Sequence, residues 1–184
     1  LAYFAVMMKG RKYDRRFLTK GITPNLCSIQ DSNSLISFEQ GAGQLKINDL
    51  YKETANYLIG AFRDAKEYGS ILNIEQRDYD GLLKYIEELR QNGTEDLFVS
   101  QWINSISGVM PILIKQAKIM AQKYDVVVTN PPYMSSSSMN NHLSSYTKRN
   151  YKNSKNDLFA VFIEQSIKML SANRFVALIT QQSW

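Results

Sequence analysis

The sequence has 184 residues, 44% of them hydrophobic and 21% charged, which is typical of one globular domain with a hydrophobic core. The formal net charge of +5 permits binding to nucleic acid but does not require it. One cysteine, Cys27, and one histidine, His142, exclude an internal disulfide and lead us to expect no metal site. No apolar run approaches the roughly 20 residues of a membrane span, so we expect a cytoplasmic protein without a membrane partner.

Residues 1–33 are predicted to contain a helix and a short strand. Residues 1–9 are apolar almost all round, which indicates a buried helix segment. Residues 25–30 (NLCSIQ) indicate a strand, in which Cys27 would be a small core residue. Asp31 would follow at the carboxyl end, where its carboxylate can accept a hydrogen bond from an adenine amino group. Gln30 and Ser32 are alternative positions for that role, and a simple turn explains the segment equally well.

Residues 34–123 are predicted to be mostly helical, because apolar residues recur there at helical spacing in four segments. The third segment is predicted to end near Gly108 and the fourth to begin near Pro111. We interpret this region as an insertion that serves as a scaffold, with partner or DNA contacts as the alternative.

The segment YDVVVTNPPYM organises the chain. Its three valines, residues 126–128, are β-branched and predict a strand buried on both faces, as in a parallel α/β sheet. Pro131 and Pro132 lack a backbone N–H, so the chain must leave the sheet there. Asn130 and Tyr133 therefore lie at the carboxyl end of the strand, where open α/β sheets bind ligands.

The residue types at this bend suit a planar amine. The side-chain oxygen of Asn130 and the carbonyl oxygen of Pro131 are two acceptors with little conformational freedom. They can hold both N–H bonds of an exocyclic amine and stabilise positive charge that develops on its nitrogen. The ring of Tyr133 offers a stacking surface for a base, worth roughly 1–3 kcal/mol. The alternative is an ordinary turn after a strand.

Residues 135–156 are predicted to be a polar loop rich in serine and asparagine, with positive charge at its end. Two interpretations remain open: a segment that folds over DNA, or a flexible connector. Residues 157–170 predict an amphipathic helix and residues 174–180 a second buried strand. Strand, loop, helix and strand in this order predict a βαβ unit with a right-handed crossover.

The residues DVVVTNPPY resemble the catalytic motif of S-adenosylmethionine-dependent amino-methyltransferases, above all the N6-adenine DNA methyltransferases. Methyltransferases that modify a glutamine amide in release factors share the motif. The resemblance implies that Asn130 and Pro131 bind the target amino group, with Pro132 completing the motif. It also implies that Tyr133 stacks on an adenine flipped out of the duplex.

Two further segments narrow the resemblance. The pattern DLFxxFIExxIxxL, followed by a strand that ends in QQSW, resembles large N6-adenine methyltransferases of restriction and phage-defence systems. The opening 33 residues resemble the PglX methyltransferases of BREX phage-defence systems. These resemblances imply that Asp157, Leu158 and Phe162 line the adenosyl pocket and that Asp31 contacts the cofactor, S-adenosylmethionine. Packing in the core is an equally good interpretation of Leu158 and Phe162.

The implied architecture is α/β: a partial Rossmann-like methyltransferase sheet made of the third strand, the catalytic strand and the next strand. Residues 1–33 and 124–184 would belong to the catalytic domain, with residues 34–123 as a large helical insertion. The family's glycine-rich cofactor loop and the acidic residue that binds the ribose are missing from the sequence. We therefore expect the first two strands to be absent, and this chain alone to bind the cofactor weakly or not at all and to be inactive.

The function implied is S-adenosylmethionine-dependent methylation of the N6 amino group of adenine in double-stranded DNA, within a restriction-modification or phage-defence system. Other defence-system proteins are further candidate partners. One alternative is a protein-glutamine N-methyltransferase, against which the basic loop at residues 135–156 argues. Another is a non-catalytic fragment that binds DNA or docks a partner.

Overall fold

The computed structural model describes residues 1–46 and 48–181, a mostly helical α/β arrangement with a two-stranded parallel sheet. Short 3-10 turns occur at Phe17–Lys20, Gly69–Ile71 and Ser136–Ser138. The helices and strands in chain order are α1 Ala2–Tyr13, α2 Phe38–Gly41, α3 Asp49–Ala61, α4 Ala65–Tyr68, α5 Tyr79–Asn92, α6 Leu97–Ala121, β1 Tyr124–Thr129, α7 Asn141–Asn150, α8 Leu158–Lys168 and β2 Leu170–Leu178.

The main core lies between α3, α5 and α6, in the region predicted to be helical. Helix α6 begins where the carboxylate of Asp96 accepts hydrogen bonds from the backbone N–H groups of Phe98 and Val99. It then runs without interruption to Ala121, so the predicted end near Gly108 and the separate fourth helix are wrong. The internal Pro111 removes one backbone hydrogen bond. Burial of apolar side chains on both sides of it outweighs that loss.

By length and composition alone, α6 could cross a membrane, which differs from the expectation that no segment approaches a span. Buried core helices of other proteins pass the same test. Here, ten residues of α6 are buried, and the apolar ones belong to the main core.

Gly41 is expected to be intolerant of a side chain, because a Cβ there would lie 2.0 Å from the ring of buried Trp102. We expect Gly41→Ala to lower the free energy of unfolding by about 1–3 kcal/mol through overpacking. Gly108, in the middle of α6, has open space around the equivalent position. Gly108→Ala should therefore raise stability by roughly 0.5–1 kcal/mol. Urea unfolding of both variants tests this, and equal effects would contradict it.

Strands β1 and β2 pair in parallel, as the predicted βαβ order requires. Val126 pairs with Phe175 and Thr129 with Leu178, with an irregularity between Tyr124 and Val126. The expected burial of the valine run on both faces is wrong for this structure, since Val126 is 55% and Val128 is 73% exposed. The physical reason is that the described residues form only two strands.

The strand predicted over residues 25–30 is also wrong, because the segment is extended but pairs with no strand among the described residues. A side chain supplies the acceptor instead: the backbone N–H of Gln30 donates to Oε1 of Gln116 on α6, at 2.7 Å. Cys27 is exposed and not in the core. Helix α1 has no buried residue, so the buried helix expected over residues 1–9 is likewise wrong within this structure.

Residues 135–156 are not the loop that their composition predicts. Asn140 caps α7 by accepting a hydrogen bond from the backbone N–H of Leu143, at 2.8 Å. Met139, Leu143 and the fully buried Tyr151 then join a second core cluster with residues of α8. The few apolar side chains in this polar sequence pack against α4, against the turn at Gly69–Ile71 and against α8, and this packing orders the segment.

The predicted helix at residues 157–170 is confirmed as α8. Strand β2 begins at Leu170, four residues before the predicted start. The predicted end of the strand at QQSW includes residues 182–184, which lie outside the described part of the chain.

Candidate active site

The motif Asn130–Tyr133 begins directly after β1, where the ladder with β2 ends. The last paired residue of β1 is Thr129, whose carbonyl accepts a hydrogen bond from the backbone N–H of Ile179, at 3.4 Å. Pro131 is buried, whereas Asn130 and Pro132 are exposed. The sequence therefore correctly predicts both the strand and its end at the two prolines. The polar side chain of Asn130 lies at the carboxyl edge of a parallel pair.

Tyr133 is held between the end of β2 and the beginning of α8. Its hydroxyl donates a hydrogen bond to the carbonyl oxygen of Ile179, at 3.0 Å. Its ring lies 6.4 Å from the ring of Phe159 in a T-shaped arrangement, at an interplanar angle of 72°. The side chain is nonetheless 45% exposed. The phenol oxygen is thus fixed while almost half of the side chain remains accessible.

Phe159 contacts Tyr133 of the motif and was missed by the sequence interpretation. The helical pattern placed Leu158 and Phe162 on the buried face and ignored Phe159 between them, yet Phe159 is 7% exposed. The 3.6-residue period does not mark Phe159, whose contact with Tyr133 is seen only in the tertiary structure.

Backbone hydrogen bonds join the segment after the motif to the start of α8. The N–H of Leu158 donates to the carbonyl of Met134 at 2.9 Å, and the N–H of Ser136 donates to the carbonyl of Asn156 at 2.8 Å. Ser135 and Asp157 form an antiparallel bridge between these two bonds. The structure therefore brings Asp157 and Leu158, two of the predicted cofactor residues, beside the motif Asn130–Tyr133.

Asp157, Leu158 and Phe162 already have contacts within the protein. The Oδ1 atom of Asp157 accepts a hydrogen bond from the backbone N–H of Phe159, at 3.2 Å, and so caps α8. Leu158 is only 6% exposed and belongs to the second core cluster. Phe162 is partly buried against the same cluster. Core packing is thus a demonstrated role for Leu158 and Phe162, and their cofactor role stays a prediction.

Asp31, the remaining predicted cofactor residue, contacts α4 and not the motif. Its carboxylate forms an ion pair with Nζ of Lys66 on α4, at 3.0 Å. The hydrogen bond from that ammonium holds the pKa of Asp31 below its usual range. The neighbouring Asn33 is hydrogen-bonded to Asp64. Within the described residues, the side-chain contacts of Asp31 therefore belong to α4 and its own turn, and not to Asn130 or Tyr133.

Metal-binding side chains do not cluster in the described part of the chain. No group of three or more histidine, cysteine, aspartate or glutamate residues there is arranged to hold an ion. His142 is exposed at the start of α7, with Nδ1 3.8 Å from a carboxylate oxygen of Asp64. The motif offers the amide side chain of Asn130, the carbonyl of Pro131 and the ring of Tyr133.

Comparisons with known proteins give consistent results. The family model described as Eco57I restriction-modification methylase matches residues 10–184. The chain is 32% identical over 204 residues to the adenine-specific methyltransferase BrxX of Escherichia coli O9:H4 (strain HS). It is 31% identical over 185 residues to the adenine-specific methyltransferase PglX of Lacticaseibacillus casei (strain Zhang). Both alignments cover 100% of this chain but only 17% and 15% of the relatives.

Proposed function

The chain belongs to the Eco57I restriction-modification methylase family, and from this premise we propose that it carries the amine-binding part of an adenine-specific DNA methyltransferase. The reaction is transfer of a methyl group from S-adenosylmethionine to the N6 amino group of adenine in double-stranded DNA. The adenine-specific methyltransferases BrxX and PglX, which the chain resembles, support this assignment. Its setting would be a restriction-modification or phage-defence system in the cytoplasm, with other defence proteins as candidate partners.

The observation that carries the proposal is the position of Asn130 and Pro131 directly after a parallel strand. The side-chain oxygen of Asn130 and the carbonyl of Pro131 would each accept one N–H of the adenine amino group. With both hydrogens held, the nitrogen can pyramidalise and present its lone pair. The two oxygens then stabilise the positive charge that develops on nitrogen, the same preorganised electrostatics that stabilise other charged transition states.

Tyr133 would position the base. An adenine inside a duplex is inaccessible, so it must be extruded at a cost of a few kcal/mol. Stacking on an aromatic ring returns roughly 1–3 kcal/mol of this. The hydrogen bond from Tyr133 to Ile179 and the contact with Phe159 fix the ring before the base arrives. Little conformational entropy is then lost on stacking.

S-adenosylmethionine, when bound, supplies the electrophilic methyl group. Asp157 lies beside the motif and has a carboxylate, so it is the best-placed of the proposed cofactor residues. Asp31 is engaged with Lys66, and the sequence offers neither the glycine-rich turn nor the ribose-binding acid of this family. The described residues thus fit only part of a cofactor site, and we attribute to them only the handling of the amine.

We further propose that residues 1–33 and 124–184 belong to a catalytic domain, that residues 34–123 are a helical insertion, and that the cofactor loop lies on strands outside this chain. The exposure of Val126, Val128 and Phe175 supports this division, because parallel sheets are normally covered on both faces. The chain spans about one sixth of the length of the relatives, which is consistent with it.

Methyl transfer by the full-length protein tests the function. Incubation with labelled S-adenosylmethionine and duplex DNA, followed by nucleoside analysis, should yield N6-methyladenine. A release-factor protein as acceptor tests the protein-glutamine alternative in parallel. A product that is purely methylcytosine, or labelling of glutamine alone, would reject the proposal. Absence of any transfer would favour a non-catalytic role in binding.

Tyr133 allows the ring and the hydroxyl to be tested separately. Tyr133→Phe keeps the ring and removes one half-exposed hydrogen bond. The activation free energy derived from kcat/KM should therefore rise by no more than about 1 kcal/mol. Tyr133→Ala removes the stacking surface and should cost roughly 1–3 kcal/mol. The measurement is steady-state methylation of DNA. Equal losses in the two variants would contradict a stacking role.

A further inference from the structure

The stretch after the motif carries positive charge that no acidic side chain balances. Residues 126–156 contain no aspartate or glutamate. Some cations elsewhere, such as Lys66, Arg77 and Arg174, form ion pairs with carboxylates, whereas others, such as Lys46 and Lys84, form none among the described residues. Four exposed cations at the end of α7 and in the turn after it form no ion pair within the described chain: Lys148, Arg149, Lys152 and Lys155, named here the 148–155 basic surface.

The backbone beneath this surface is fixed. Tyr151, in its middle, is completely buried, and its hydroxyl is hydrogen-bonded in the second core cluster. The hydroxyl of Ser154 donates to a carboxylate oxygen of Glu164 on α8, at 2.7 Å. Glu164 is itself paired with Lys168, so it does not neutralise the surface. The four cations therefore project from an ordered segment.

The 148–155 basic surface is also linked to the catalytic motif. Asn156, next to Lys155, accepts the backbone hydrogen bond of Ser136, which lies three residues after Tyr133. Leu158 donates to Met134, the residue that follows Tyr133. The motif and the basic surface are thus parts of one hydrogen-bonded unit. A polyanion that reaches the motif would lie within reach of these cations.

We propose that the 148–155 basic surface binds the phosphate backbone of the DNA that delivers the target base. Exposed lysine and arginine side chains without carboxylate partners are the groups that neutralise phosphates, and such contacts position a duplex without reading its sequence. The inference rests on the proposed function, since it identifies the DNA substrate as the partner. The inference further identifies the residues that hold the DNA backbone while Asn130 and Tyr133 bind the target base.

The test is the salt dependence of DNA binding by the full-length protein. Fluorescence anisotropy with a labelled duplex gives the slope of log Kobs against log[salt] for the wild type and for the variant Lys148→Gln, Arg149→Gln, Lys152→Gln, Lys155→Gln. Each lost phosphate contact makes the slope shallower by about 0.9, so we expect a change of about 3–4 in the variant. The change should be the same for duplexes of unrelated sequence, because phosphates carry no sequence information.

A matched control removes the same charge from another part of the chain. The variant Lys46→Gln, Lys84→Gln, Arg90→Gln, Lys115→Gln replaces four exposed cations of the helical region and should change the slope by less than about 1. Equal changes in both variants, an unchanged slope in the first, or no binding of DNA by the wild type would each overturn the inference. DNA binding is measured without methyl transfer. A failed activity assay together with the expected slope change would therefore reject the proposed function but still support DNA binding by the 148–155 basic surface.

Discussion

Replacing Asn130 by alanine is expected to lower the rate of methyl transfer to adenine by about 100- to 1,000-fold, the loss seen when one preorganised hydrogen-bonding group is removed from a transition state. Asn130 is exposed immediately after β1, so the substitution leaves no cavity in the core. It removes the only side-chain amide of the four-residue motif. The measurement is kcat for methylation by the full-length protein.

DNA binding by the variant distinguishes a loss of methyl transfer from a folding defect. The Asn130→Ala variant should bind DNA with the same salt dependence as the wild type, because it keeps all basic side chains. Asn104→Ala, at an exposed position in α6, serves as the control and should leave kcat unchanged. Full activity of the Asn130→Ala variant would refute the catalytic assignment and favour the non-catalytic reading.

Tyr151→Ala is expected to lower the free energy of unfolding by about 3–5 kcal/mol, the usual cost of deleting a large buried aromatic side chain. Tyr151 has no exposed surface, and it packs in the cluster that joins α7 to α8. The cavity left by the substitution would lie between the 148–155 basic surface and α8. Urea unfolding of the wild type and the variant measures the loss.

Tyr151→Phe isolates the hydroxyl contribution. That hydroxyl lies 2.8 Å from Oε1 of Gln165 and also contacts the carbonyl of Ile71, while Nε2 of Gln165 donates to the carbonyl of Leu72. Loss of the donor leaves buried acceptors unpaired and should cost about 1–3 kcal/mol. Exposed Tyr13 is the control, and Tyr13→Phe should change stability by less than about 0.5 kcal/mol. Equal stabilities for the Tyr151 and Tyr13 variants would show that the network contributes nothing.

Local chemistry determined the part of the site that the sequence predicted. Three β-branched valines favour a strand, and two prolines end it wherever they occur, so β1 and the bend at Asn130 follow from neighbouring residues alone. The amphipathic pattern after Asp157 likewise gave α8, and strand, helix and strand gave a parallel pair. The same residues carry the resemblance to adenine methyltransferases, which the family match and the two adenine-specific relatives together confirm.

Only the tertiary structure decided which side chains are buried and which residues each segment contacts. The segment at residues 25–30 has strand-like residues, but its Gln30 N–H bonds to the side chain of Gln116, and no described strand pairs with it, because a ladder requires a second strand in place. The composition of residues 135–156 predicts a loop, yet packing against α4, Ile71 and α8 orders it around Tyr151. Propensity and periodicity describe what a segment can form. Which surface it buries, and whether Asp31 contacts Lys66 or a ligand, depends on residues far away in the chain, whose positions local sequence does not encode.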